Sequence, residues 1–333
     1  MFAGRKLRRS ICWLSILAMP ALASFNVALA QPADSAWPSK PIKMYVPFPP
    51  GGGVDNVARV IAERVSKQIG QPIVIENQGG GGGTIASAMV ARAPADGYTF
   101  VFHSVSGAVV NAVTMKNLRY DPINDFAPVT LASRFPLVLV VHPGLPAKNL
   151  QEFIALTREN PGKYSYGSSG VGTSIHLAAE LFNKLAKTNI VHVPYKGTVA
   201  VVPDLLAGRV DMLIDGLPPQ AQHIASGKVR ALAVTTTSRS PKLPDVPSMS
   251  EALPEYDIPF WTGIFAPAKT PKHIVERFAD EVRKAVNSPE TAKRLADAGI
   301  EGVGSTPQEF DKYWRQQLTV YERIAKESNI KLD

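Results

Sequence analysis

The sequence predicts two α/β lobes joined by two crossing strands, and three observations carry that expectation. Apolar runs of strand length alternate with stretches whose apolar residues recur at helical period, the pattern of a parallel sheet with helices on its faces. The turns between several of them are rich in glycine and hydroxyls, which brings backbone N–H groups to strand ends. Two β-runs, Phe135–His142 and Ile258–Ala266, contain no turn signal and are placed to carry the chain across and back.

The first 30 of the 333 residues read as an export signal, outside the fold. Arg5, Lys6, Arg8 and Arg9 form a basic start, Ile11–Leu22 an apolar stretch, and Ala28-Leu29-Ala30 a small-x-small site with cleavage expected after Ala30. Pro20 and Asn26 interrupt the apolar stretch, which is too short for a permanent membrane span. The one cysteine, Cys12, leaves with this segment, and no small residue precedes it to suit a lipid anchor. The exported chain therefore has no disulfide and no thiol nucleophile, and its length permits stability by core burial alone. Losing four basic residues lowers the formal charge from +8 to +4. No run of Lys or Arg is left to suit nucleic acid, and the mild positive charge can steer small anions.

Met44–Asn56 is a strand that passes through Pro49-Pro50 into three glycines. A helix follows with Val54, Val57, Ala58, Ile61, Val65 and Ile69 on one face, ended by Gly70 and Pro72. Ile73–Glu76 is a second strand, then come Gly79–Gly83, Thr84 and a helix ending at Pro94. Tyr98–His103 is a third strand opening into a small polar loop, His103–Gly107, where ligands sit in open α/β sheets. Beyond the first crossing, Asn149 and Glu152 have capping-box spacing. Strand Tyr164–Gly167 opens into Ser168–Ser174 and a helix with Ile175, Ala178, Leu181, Phe182 and Leu185 on one face. Strand Ile190–Val193 leads to Tyr195, Lys196, Gly197 and Thr198, with Thr198 expected to cap a helix reaching Ala207. Val210–Ile214 ends at Asp215-Gly216, and Val229–Thr235 is the last strand before the return crossing. The C-terminal part reads as helices, one opened by a capping box at Thr306–Glu309. Lobe one is expected over 31–134 and 262–333, and lobe two over 135–261.

Most enzyme signatures fail on inspection. The sixth position of each dinucleotide-type glycine pattern is Asn56, Thr84 or Ile175 where glycine is needed, and no P-loop run exists. Val171 stands where a nucleophile elbow at Ser169 needs glycine. The six histidines have no metal-binding spacing, so no metal or cofactor is expected. What is left is a set of strand-end loops suited to an anion. Ser168–Ser174 has four hydroxyls and two glycines in seven residues. Charge-assisted hydrogen bonds contribute about 1.5–3 kcal/mol each, so four or five give about 6–15 kcal/mol before ordering costs. Micromolar affinity needs about 8 kcal/mol net, within reach without arginine if the site closes. His176 either caps and packs or meets the ligand, and Lys196 either lines the cleft or is solvated. Asp215 would repel a fully anionic ligand, and favours a ligand amine or hydroxyl or else holds the loops. Phe48 and Trp261 divide between cleft wall and core.

PFPPGGGVD at 47–55, the glycine run with Thr84, APADGYTF at 93–100, YGSSGVGTSIHLAAELF at 166–182, HVPYKG at 192–197 and FWTGIFAP at 260–267 occur in one order along nearly all of the exported chain. Together they resemble the Bug family, the periplasmic solute-binding components of tripartite tricarboxylate transporters. The resemblance implies a two-lobed periplasmic-binding-protein fold closing over a small carboxylate, and delivery to a two-subunit integral-membrane permease. It implies one jaw at Phe48, Gly51, Gly52, Gly53 and Asp55 and another at Ser168, Ser169, Gly172, Thr173 and Ser174. Thr84, Ser104, Ser106, His176, Tyr195 and Asp215 complete the expected ligand set. A monomer is expected. Two departures stand out: the second glycine loop is all glycine, and Val201-Val202-Pro203 is bulkier than the family pattern. A periplasmic hydrolase or isomerase using Ser169, His176 and Asp215, or a signalling receptor for the same ligands, are the alternatives.

Overall fold

A computed structural model gives the structure of residues 37–258 and 260–327, and the expected export signal lies outside the described residues. The chain divides into two units, Met1–Trp37 and Pro38–Asp333, and every strand and helix named below belongs to the second. In chain order this unit runs β1 (Ile42–Val46), α1 (Gly53–Ile69), β2 (Ile73–Asn77), α2 (Thr84–Ala91), β3 (Thr99–Ser104), α3 (Asn111–Thr114) and β4 (Phe126–Arg134). Then come β5 (Leu137–Val141), α4 (Leu150–Glu159), β6 (Ser165–Ser168), α5 (Ser174–Ala186), β7 (Val191–Pro194), α6 (Val202–Leu206), β8 (Met212–Gly216), α7 (Leu217–Ala225) and β9 (Arg230–Val234). The last stretch holds β10 (Trp261–Pro267), α8 (Lys272–Asn287), α9 (Pro289–Asp297), β11 (Glu301–Gly302) and α10 (Pro307–Glu327).

These strands form two sheets, ordered β11-β4-β10-β3-β1-β2 and β7-β6-β8-β5-β9. Each sheet has a parallel core, β2-β1-β3 in the first and β7-β6-β8 in the second. Each is extended by antiparallel strands, so the expectation of parallel sheets holds only for the βαβ portions. In the first sheet β10 runs antiparallel to both β3 and β4; in the second β5 runs antiparallel to both β8 and β9.

The two crossings differ from the expected continuous strands. The sequence reading has no counterpart of β4, because Pro128 interrupts the run; in the structure that proline sits beside a register shift against β10. The chain leaves β4 at Arg134, passes through Phe135-Pro136, and enters the second sheet at Leu137. The return run is also divided: β10 begins at Trp261 and pairs only within the first sheet. The crossings touch where the Phe135 N–H donates to the Phe260 carbonyl at 3.3 Å, with the two rings 4.8 Å apart.

Both cores follow the helical periods. Val54, Val57, Ala58, Ile61 and Val65 of α1 are buried, as are Ile175, Ala178, Leu181 and Phe182 of α5. In the first core Phe100 meets Phe278 of α8 at 4.3 Å, and Phe265 lies between Phe310 and Trp314 of α10. The capping boxes form as expected: the Glu152 N–H donates to Asn149 Oδ1 at 2.9 Å, and the Thr306 N–H to Glu309 Oε2 at 2.9 Å. Thr198 caps no α-helix; it opens a short 3₁₀ turn over Thr198–Ala200, and α6 starts at Val202. Val201 packs inside, fully buried over Gly167, where a Cβ would sit 2.2 Å from Val201 Cγ1. The all-glycine loop has positive φ at Gly80, Gly81, Gly82 and Gly83, a path that other residues take at a cost.

Candidate functional site

The first turn of α1 is the sharpest feature. Gly52 occupies the N-cap in an extended conformation and, lacking a side chain, caps nothing. A helix start without a side-chain cap presents backbone donors and the positive end of the helix dipole. Gly52, Gly53 and Val54 line a cavity between the two sheets' loops. The loop is held from behind by Asp55, only 1% exposed. Asp55 Oδ2 accepts from the Gly51 N–H and from Arg59 Nε, both at 2.9 Å, and Oδ1 accepts from Asn77 Nδ2 at 2.8 Å. Asn77 Nδ2 also reaches the Phe48 carbonyl, at 3.0 Å. Burial pushes the Asp55 carboxyl up, but the donors from Arg59, Asn77 and Gly51 outweigh it and hold it below its ordinary range. Asp55 and the Gly51 N–H are therefore occupied in building the loop and do not line the cavity.

Opposite lies Ser168–Ser174, with most of its polar groups turned to its own construction. Ser168 Oγ accepts from the Gly170 N–H at 3.1 Å and pairs with His192 Nε2 at 2.6 Å. Thr173 caps α5, accepting from the His176 N–H at 3.4 Å, and its hydroxyl donates to the Gly170 carbonyl at 2.8 Å. The Gly172 N–H donates to His176 Nδ1 at 3.2 Å. The Ser174 N–H donates to Ser106 Oγ at 2.9 Å, and the two hydroxyls lie 2.8 Å apart, so this bond joins the two halves of the molecule. Ser169 of this segment and Ile175 just beyond it reach the cavity.

The cavity has a volume of about 40 Å³, room for about three waters or a small acid. Its hydroxyls are Ser104, Ser106, Ser169 and Thr198, and Phe48, Phe135 and Phe260 supply aromatic walls. Ser104 Oγ is fully buried and has no hydrogen-bond partner among the described residues. Among the described residues Asp215 is the one ionisable side chain of the lining. Its Oδ2 accepts from Gln220 Nε2 at 2.9 Å. Burial pushes its carboxyl up to about 6, against the pull of donors from Gln220, Gly216 and Thr198.

Of the sequence-predicted residues, Phe48, Gly52, Gly53, Ser104, Ser106, Ser169 and Asp215 meet at the cavity. Gly51, Asp55, Ser168, Gly172, Thr173, Ser174 and His176 lie outside its lining and build the two loops. Thr84 starts α2, away from the lining. The Tyr195 hydroxyl turns to Asp204 Oδ2 at 2.7 Å. Lys196 is not among the lining residues either, and Trp261 is wholly core. His176 stacks on His192 with centroids 4.1 Å apart, and burial lowers both histidines to about 4. With its Nδ1 accepting from Gly172 and Asp215 held by Gln220, His176 is not arranged as a base between Ser169 and Asp215. Phe135, Phe260, Thr198, Val199, Ile175 and Gly216 are lining residues that the sequence reading missed. Phe135 and Phe260 had a signal, since both stand at the crossings, where the cleft floor must be. Among the described residues no group of three or more His, Cys, Asp or Glu is placed to hold a metal, and no helix is long and apolar enough to cross a membrane.

Residues 57–330 match the model of the tripartite tricarboxylate transporter family receptor. Protein BugT of Bordetella pertussis is 34% identical over 313 residues, spanning 93% of this chain and 96% of BugT. The structure of Rpa4515 from R. palustris with adipate is 36% identical, with a TM-score of 0.86 over 89% of this chain and 99% of that one. MatC from Rhodopseudomonas palustris with bound malate is 32% identical, with a TM-score of 0.83 over 86% of this chain and 99% of MatC. The chain belongs to the tripartite tricarboxylate transporter receptor family, the Bug-type periplasmic solute-binding proteins.

Proposed function

We propose that this chain captures a small carboxylate between two lobes, 31–134 with 262–333 and 135–261, and delivers it to a two-subunit membrane permease. The observation that carries the reading is the uncapped first turn of α1, whose backbone donors open on a cavity without a basic side chain. A helix start of this kind stabilises an anion by hydrogen bonds and dipole without a counter-charge. Buried Ser104 Oγ supplies a further donor in need of an acceptor. Adipate and malate in two relatives agree in chemical class. The protein acts as a monomeric, non-catalytic receptor, and its residues 1–30 are an export signal removed after Ala30.

Thermal unfolding of protein stripped of co-purified ligand tests the reading. A cognate carboxylate at a hundred times its Kd stabilises by about 2.7 kcal/mol, a rise of about 4 °C in a chain of this size. A flat response across aliphatic, aromatic and amino-acid carboxylates would contradict it.

A further inference from the structure

We propose that Asp215 makes ligand capture proton-linked: its contact with the ligand must contain a hydrogen, which a hydroxyl or ammonium group brings itself and a second carboxylate obtains by proton uptake onto Asp215. The inference rests on the cavity taking a small carboxylate. Its grounds are geometric. Asp215 is 5% exposed and, among the described residues, is the lone ionisable side chain lining a cavity of about 40 Å³. Burial leaves little water at Asp215 to screen a second ligand carboxylate placed against it. Two carboxylates brought together in a water-poor site cannot both stay ionised.

No neighbouring charge relieves this. Strand β5, paired beside Asp215 through Val138, carries no ionisable side chain over Leu137–Val141. Helix α7 offers only His223, in its last turn. Helix α5 and strand β7 bring His176 and His192, which burial keeps neutral, and β6 brings Tyr166, whose hydroxyl donates to Glu180. The turn after β7 brings Tyr195, bonded to Asp204, and Lys196, outside the lining. Across the cavity Asp55 is tied to Arg59. None of these is among the groups that set the Asp215 titration, which are burial and the donors Gln220, Gly216 and Thr198. Gln220 Oε1, beside it, has no partner among the described residues. The amide therefore holds one carboxylate oxygen while adding no charge.

Calorimetric titration in two buffers of different ionisation enthalpy, from pH 6 to 8, reads the proton directly. Succinate and adipate are the dicarboxylate probes and lactate the hydroxy acid. For the dicarboxylates the expected result is uptake of about one proton at pH 7.5 and an affinity that falls about tenfold per pH unit above pH 6.5. For lactate the expected result is no uptake and a flat profile. Asp215→Asn keeps an acceptor for Gln220, and is expected to abolish the uptake and to tighten dicarboxylate binding at pH 8 about tenfold or more. Dicarboxylate binding without uptake, uptake that persists in Asp215→Asn, or equal uptake with lactate would each overturn the inference and leave the carboxylate reading standing. Failure of every carboxylate to bind would overturn the reading itself and this inference with it.

Discussion

Two buried aspartates, one behind the α1 loop and one in the cavity wall, have opposite chemistry. Asp55 has three donors on its carboxylate, so its folded-state acid strength exceeds its unfolded one. Its contribution to stability is therefore complete above the ordinary carboxylate range and is lost as pH falls through the lowered folded value. Asp55→Ala removes the shared acceptor of Gly51, Arg59 and Asn77, and is expected to cost about 1–3 kcal/mol by denaturant unfolding. It is also expected to weaken ligand binding, because the glycine loop then loses its brace. Unfolding indistinguishable from the parent would contradict this role for Asp55 in the loop. Asp215 has its folded value raised, so the folded state gives up stability as pH rises toward 6.

At the level of elements, Gly167 and Val201 form a matched pair: the strand has no side chain where the valine enters. Gly167→Ala would place its Cβ 2.2 Å from Val201 Cγ1, and a cost of about 1–3 kcal/mol is expected. Adding Val201→Ala should recover part of it, a coupling that a double-mutant cycle measures; additive losses would refute the pairing. The same pair shows what was legible in the sequence. The bulk of Val201 stood out, but its partner lies 34 residues away in β6, and such pairings leave no local trace. Period and capping were legible, as α1, α5, Asn149 and Thr306 show, because their causes lie within one or two helical turns. Strand β4 was hidden by Pro128, since a proline inside a strand reads locally as a break. For the site, the glycine loop and Asp215 were legible from their strand-end positions. Whether Thr173, Ser174 or Tyr195 would face a ligand was not, because His176, Ser106 and Asp204 compete for them.

At the scale of the whole molecule, loops from both sheets meet across the cavity that Asp215 lines. Ser106 and Ser174 bridge from opposite halves, and Phe135 and Phe260 floor the gap. In the proposed capture a ligand bridges the start of α1 and the wall that carries Asp215, both of which line this cavity. The measurement that bears most directly on this arrangement removes one backbone donor and little else. Proline is tolerated at the first position of a helix, and Gly52, with φ −74° and ψ 166°, already has the backbone that a following proline requires. Gly53→Pro therefore deletes an N–H from the α1 start, while Gly53→Ala keeps it and adds a Cβ at ordinary contact, 3.6 Å from Pro219 Cδ. With titration calorimetry against the tightest-binding carboxylate, Gly53→Ala is expected to stay within about threefold of the parent and Gly53→Pro to weaken about tenfold or more at unchanged Tm. Parent-like affinity in Gly53→Pro would contradict the claim that the first turn of α1 holds the carboxylate.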